Sequence, residues 1–225
     1  MHTIGILGGT FNPVHVGHLE MAQAALVQGS LEHILWVPMQ SPPHKKNDTL
    51  ADFHHRVAMV QQAIAPYTQY SVSLIEANRL TSSYAIQSWR DLQSAYPSVC
   101  QWVWILGLDA FQTLPRWYGR DQLVPHCQWL VAPRSPMVAS PSVTTHATLV
   151  DLEESCRAIA HQLALQGISV RWQGLEMSSV RVSSSQIRQR CRDRQPLDGL
   201  VPESVQNYLQ TYALYAWDGA NQQPR

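Results

Sequence analysis

Residues 4–19, Ile-Gly-Ile-Leu-Gly-Gly-Thr-Phe-Asn-Pro-Val-His-Val-Gly-His-Leu, place three constraints on one short stretch. The apolar run at 4–7 reads as a buried strand. It breaks at Gly8-Gly9, where a chain can turn sharply and a ligand can come close to the backbone. Beyond Pro13 an apolar-periodic segment begins, with His15 and His18 in its first turn. A strand, a glycine turn and a helix start, in that order, aim free N–H groups and the positive end of a helix dipole at one place. That is an anion site.

The rest of the chain alternates between the two periods. Strands are expected at 34–37, 70–74, 102–106, 128–131 and 168–171, with a weak one around Val150 and Leu152. Helices are expected over 16–27 (stopped at Gly29), 51–65, 84–94, 153–166 (stopped at Gly167), 185–192 and 203–211. Short helical pieces at 109–114 and 119–124 flank Pro115. Polar, proline-containing loops occupy 40–49 and 134–142, and 216–225 reads as a flexible tail. Strands separated by helices imply right-handed βαβ units. The expected fold class is therefore α/β, a Rossmann-like doubly wound parallel sheet. It would form one domain over 1–215, with a small C-terminal helical segment at about 183–215. In such sheets ligands sit beyond the carboxyl ends of the strands, at the switch point. Gly8-Gly9, residues 38–46 and residues 107–109 each follow a strand directly, so all three belong on one rim.

Charge and cysteine content narrow the function classes. Among 225 residues, 16 Lys and Arg balance 16 Asp and Glu, which argues against a general nucleic-acid or membrane surface. No basic segment leads into a long apolar stretch, and no run reaches the length of a membrane span. Cys100, Cys127, Cys156 and Cys191 are widely spaced, as isolated thiols of a reducing, cytoplasmic compartment would be; a disulfide is the lesser reading.

The glycine turn is not a dinucleotide fingerprint, because Gly-x-Gly-x-x-Gly is absent, nor a P-loop, because no Gly-Lys-Ser/Thr follows. It offers backbone N–H groups at Gly8, Gly9, Thr10 and Phe11, and two imidazoles three residues apart on one helix face. A resident metal needs about three or four ligands. His44, His54 and His55 are the other histidines that could join, and no metal site is expected; two capping or core histidines are the plainer alternative. A second anion site falls at 182–188, Val-Ser-Ser-Ser-Gln-Ile-Arg. There Ser184 and Ser185 open a helix whose first turn carries Arg188. Alone, it would read as a serine-capped helix with a solvated arginine. Lys45 and Lys46 lie on the second-strand loop. Asp109 follows a strand end, suited to ribose hydroxyls or to capping, and Trp117-Tyr118 could stack on a planar ring or fill the core. No Ser/His/Asp pattern and no carboxylate pair stands out. Phosphate-holding groups without a nucleophile suggest transfer between two bound substrates, with positioning and charge neutralisation doing most of the catalysis.

Residues 8–18 resemble the GGTFDPxHxGH signature of nucleotidyltransferases, and residues 182–188 resemble their ISSTxIR signature. With Pro42-Pro43-His44-Lys45, Gly107-x-Asp109, Leu114-Pro115-x-Trp117-Tyr118, Val131-Ala132-Pro133-Arg134 and Tyr208…Leu214-Tyr215, the chain resembles the bacterial nicotinate mononucleotide adenylyltransferases over residues 4–215. The resemblance implies AMP transfer from ATP to nicotinate mononucleotide, giving deamido-NAD and pyrophosphate. It implies that His15 and His18 contact the ATP phosphates, that Gly8, Gly9, Thr10 and Phe11 line the nucleotide site, and that Asp109 binds ribose. Ser184, Ser185 and Arg188 would hold the β- and γ-phosphates. Lys45 and Arg134 would neutralise the mononucleotide phosphate, Trp117 and Tyr118 would flank the pyridine ring, and Mg²⁺ would arrive with ATP. Three positions depart from the pattern. Asn12 stands where Asp is common, Ser185 replaces Thr, and Ala85 replaces the hydroxyl of a Tyr-Thr-x-Asp-Thr stretch near the expected pyridine carboxylate. An amide-selective enzyme and a non-catalytic nucleotide sensor are the alternatives, and the oligomeric state is left open.

Overall fold

Side-chain alternation in the strands sets the architecture. Along β2 (His33–Pro38), Ile34 and Trp36 enter one core while Leu35 and Val37 enter another. Along β4 (Val99–Gly107), Val103 and Ile105 oppose Trp102, Trp104 and Leu106 in the same way. Strands buried on both faces require helices on both faces. The computed structural model describes residues 2–42, 50–133, 145–177 and 182–215. In it β1 (His2–Gly9), β2, β3 (Tyr70–Val72), β4, β5 (Gln128–Ala132) and β6 (Arg171–Gly174) form one parallel sheet in the order β3-β2-β1-β4-β5-β6. The chain winds outward from β1, then returns to β4 and winds the other way. The switch point lies between β1 and β4.

One face carries α1 (Val16–Gln28), α2 (Phe53–Ile64), α7 (Ser184–Arg192) and α8 (Glu203–Thr211), through Ala22, Ala25, Val60, Ile187, Val205 and Leu209. The other carries α3 (Ala85–Ala95), α4 (Leu108–Phe111), α5 (Arg120–Leu123) and α6 (Thr145–Ala164), through Ile86, Trp89, Phe111, Leu123 and Leu152. Cys127, Cys156 and Cys191 are free thiols; burial pushes the first two up to about 12, so both stay protonated and inert. Among the described residues no helix is long and apolar enough to cross a membrane.

The structure corrects several expectations. Gly8-Gly9 is not a turn. Both residues pair with Val37 and Pro38 as the last rungs of β1. A Cβ on Gly9 would lie 2.9 Å from the Phe11 ring, so this glycine admits a ring rather than an unusual backbone angle. The weak strand at Val150 and Leu152 is helix. Leu152, Cys156 and Leu163 recur at helical spacing and are all buried, which extends α6 back over that stretch. The sixth strand lies at Arg171–Gly174 rather than 168–171, because Ile168 is spent in the core and pairing with β5 begins at Arg171. The third strand stops at Val72, leaving Leu74 exposed. The piece expected at 109–114 divides into α4 and a 3₁₀ turn, Leu114–Arg116, with Pro115 inside it. The tail at 216–225 lies outside the described residues.

Candidate active site

β1 and β4 end side by side at Gly9 and Gly107, and a Cβ built on Gly107 would meet nothing within 4 Å. There is room above this point for a ligand. The loop that leaves β1 runs from Thr10 to His15. Its turn is made by Phe11, at φ 48°, followed by a cis Asn12–Pro13 bond. Phe11 itself is buried. Its ring lies over Gly9, tilts against Trp36 at 5.4 Å and meets His18 edge-on at 5.1 Å. The side chain therefore supports the loop from below and is not open to a ligand.

His15 is the residue preceding α1, in extended conformation, and His18 closes the first turn. The His18 N–H donates to the His15 carbonyl at 2.9 Å. The His15 N–H donates to His18 Nδ1 at 3.2 Å. With Nδ1 accepting, a neutral His18 carries its proton on Nε2, an assignment that follows from that bond. The rings stack with centroids 3.7 Å apart and planes 28° apart. His15 is 8% exposed, and its Nδ1 has no hydrogen-bond partner among the described residues. Burial lowers its pKa from 6.5 to about 4, so it is neutral at physiological pH. Gly17 keeps this point open: a Cβ there would stand a tight 3.2 Å from both His15 Nδ1 and Val182, and one of them would have to give way.

The second signature docks onto the first. Ser183 caps α7, its Oγ accepting from the Gln186 N–H at 3.2 Å. Ser184 Oγ donates to the Pro13 carbonyl at 2.9 Å, and Arg188 Nη1 donates to the Asn12 carbonyl at 2.8 Å. Val16 N–H adds a bond to the Leu200 carbonyl at 3.1 Å. Part of the hydrogen-bonding capacity of Ser184 and Arg188 is thus spent on holding the histidine loop, while Ser185 is exposed. Asp109, also exposed, lies in the first turn of α4 just beyond Gly107, across the switch point from Gly9.

The remaining expected residues divide. Ala85 is the first residue of α3, half-buried, and Tyr84 before it lies 5.1 Å from the Tyr118 ring. Tyr118 is exposed. Trp117 is half-buried, donates its indole N–H to Thr113 Oγ1 at 2.8 Å and packs edge-on against Trp104 and Trp129. Lys45 and Arg134 lie outside the described residues, as do His44 and Lys46.

Sequence reasoning missed the groups that hold this rim together. Arg56, 1% exposed, donates to the carbonyls of Thr10, Met39, Gln40 and Ala51, tying together the loops that follow β1 and β2 and the lead into α2. Its signal was there: an arginine on the same helix face as Val60 and Ala63. Glu76, 2% exposed, accepts from the Gln40 N–H at 3.0 Å and from Ser88 Oγ at 2.5 Å, and Ser83 exchanges two bonds with the Ser41 backbone. These fix the loop after β2 against the start of α3. Nothing in the sequence around Glu76 marks it.

A sheet of this order, with paired imidazoles and a serine-capped arginine helix at its switch point, is the frame of a nucleotidyltransferase, and residues 6–190 match the cytidylyltransferase-like family model. A protein from Trichormus variabilis named "Probable nicotinate-nucleotide adenylyltransferase" is 42% identical over 97% of this chain and 99% of its own. The Bacillus subtilis nicotinate-nucleotide adenylyltransferase is 33% identical over 96% of this chain and 99% of its own. The chain belongs to the nicotinate-nucleotide adenylyltransferase family. The Plasmodium falciparum nicotinic acid mononucleotide adenylyltransferase complexed with APC shares the fold, with a TM-score of 0.71 over 96% of this chain and 98% of that one, at 15% identity.

Proposed function

We infer that this chain transfers AMP from ATP to nicotinate mononucleotide, releasing pyrophosphate and forming deamido-NAD (nicotinate adenine dinucleotide), a step of NAD biosynthesis in the cytoplasm. The observation that carries this reading is the docking of Ser184 and Arg188, 171 and 176 residues downstream, onto the carbonyls of Pro13 and Asn12. It brings the serine-rich start of α7 beside the histidine pair at the switch point.

In the reaction a phosphate oxygen of the mononucleotide attacks the α-phosphorus of ATP as the bond from that phosphorus to the β-phosphate bridge breaks. Two polyanions must meet, so fixed donors govern the rate. His15 is neutral when free of substrate and so acts as a donor rather than as a standing charge. His18 presents Nε2–H, because its Nδ1 is engaged by the His15 N–H. Both face the reacting phosphate. Ser185, the Ser184 backbone N–H and the remaining hydrogens of Arg188 bind the leaving pyrophosphate. The backbone at Gly8, Gly9, Thr10 and Phe11 lines the nucleotide, and Asp109 accepts from ribose. On the acceptor side Lys45 and Arg134 neutralise phosphate, Trp117 and Tyr118 flank the pyridine, and the backbone at Ala85 binds its carboxylate. Among the described residues no group of three or more His, Cys, Asp or Glu could hold a metal ion. The donor set suits a Mg²⁺ carried by phosphate oxygens and water, which would supply charge neutralisation on the triphosphate.

Pyrophosphate release with ATP or CTP, against the acid and the amide mononucleotides, tests the reading. ATP with the acid should be fastest. Preference for the amide overturns the acceptor assignment, and no release with any pair leaves a nucleotide sensor.

A further inference from the structure

The loop that leads into the histidine pair is gripped from the far end of the chain. After α8, residues 212–215 fold back on the end of the helix. Leu214 N–H bonds back to the Leu209 carbonyl at 3.0 Å, and both Ala213 (φ 47°) and Tyr215 (φ 62°) adopt the left-handed conformation. Non-glycine residues pay for that conformation, and it persists where surrounding contacts over-determine it. Here Leu214 and Tyr215 pack against the core on this face of the sheet, and Tyr215 Oη donates to Asn12 Oδ1 at 2.6 Å, across 203 residues of sequence. The same oxygen accepts the Ala51 N–H at 3.0 Å, while the Asn12 carbonyl accepts Arg188 Nη1 at 2.8 Å. Asn12 is 2% exposed. Burial raises the Tyr215 phenol above its ordinary range and outweighs the opposing, lowering effect of the Arg188 and Arg56 charges, so the group remains a protonated donor. Only Pro13 and Val14 separate Asn12 from His15, and the chain between them is stiffened by Pro13 and by Ser184 on its carbonyl. A shift of the Asn12 side chain is therefore passed to the imidazoles rather than absorbed.

We propose that Tyr215 is a positioning residue for adenylyl transfer, holding the Asn12 side chain so that the C-terminal segment must be docked for the histidine pair to be aligned. The proposal rests on the functional reading above. Two readouts keep their failures apart. The first is steady-state kinetics of Tyr215→Phe, Asn12→Ala, the double variant and Asn12→Asp, at a temperature where circular dichroism shows each fully folded. Tyr215→Phe should lower kcat about tenfold while moving both KM values by less than about threefold, because alignment rather than binding is lost. Asn12→Ala should cost at least as much, and adding Tyr215→Phe to it should cost nothing further. Asn12→Asp, which keeps an acceptor for both donors, should recover most of the rate. Tyr212→Phe, which removes the hydroxyl of an exposed neighbour, should leave kcat unchanged. The second readout needs no turnover: the imidazole Hε1 resonances of His15 and His18 should move in Tyr215→Phe and stay in place in Tyr212→Phe. A Tyr215→Phe enzyme within twofold of wild-type kcat, whether or not its Tm falls, would overturn the proposal; a lowered Tm would then mark the contact as a structural latch. If the wild type releases no pyrophosphate, the functional reading falls, and unmoved imidazole resonances would overturn the coupling independently.

Discussion

The buried, unpaired state of His15 makes a sharp prediction about stability and pH. The imidazole is 8% exposed, and its pKa falls from 6.5 to about 4 because burial disfavours the cation. The unfolded chain binds a proton at His15 below about pH 6.5, whereas the folded chain does so only below about 4, so between these values unfolding takes up a proton. Stability therefore rises with pH across that window. The contribution is full above the unfolded pKa and is lost as pH falls toward the folded one. At about 1.4 kcal/mol per pH unit, the window is worth roughly 3 kcal/mol. Replacing His15 by Gln removes the titration. Urea unfolding of both proteins at half-unit steps from pH 4 to 8 should show a wild-type slope steeper by up to about 1.4 kcal/mol per pH unit between 4 and 6.5, and parallel curves above 7. Carboxylates titrate in the same region, and burial also lowers His33 and His55, but these groups are common to both proteins and cancel in the difference. Parallel curves throughout would refute the argument. They would mean that the folded protein accepts a proton on His15 as readily as the unfolded chain does.

Two further substitutions address the site and its frame. His18→Ala should lower turnover by about 100- to 1,000-fold while weakening ATP binding far less, as measured by initial rates and by equilibrium titration, because a fixed donor acts mainly in the transition state. Arg56→Met should destabilise the fold by at least about 3 kcal/mol in urea, since the carbonyls of Thr10, Met39, Gln40 and Ala51 would lose their shared donor.

The sequence determined the α/β class, the parallel sheet and the rim on which the site lies, because strand and helix periods differ and βαβ connections have one hand. It also determined the two signature segments, whose residue types carry their chemistry locally. Where it misplaced elements, burial decided. Val150 and Leu152 resemble a strand until Leu152, Cys156 and Leu163 line one buried helix face and Val150 turns to solvent. Gly8-Gly9 resembles a turn until β2 pairs with it and Phe11 covers it.

Only the tertiary structure decided how the histidine loop is held. Asn12 touches Ala51, Arg188 and Tyr215; Thr10 touches Arg56; Pro13 touches Ser184. Those partners lie between 39 and 203 residues away. Local periodicity carries no information about such pairs, because a buried carbonyl is satisfied by whichever donor the packing of the sheet and its helices brings within reach.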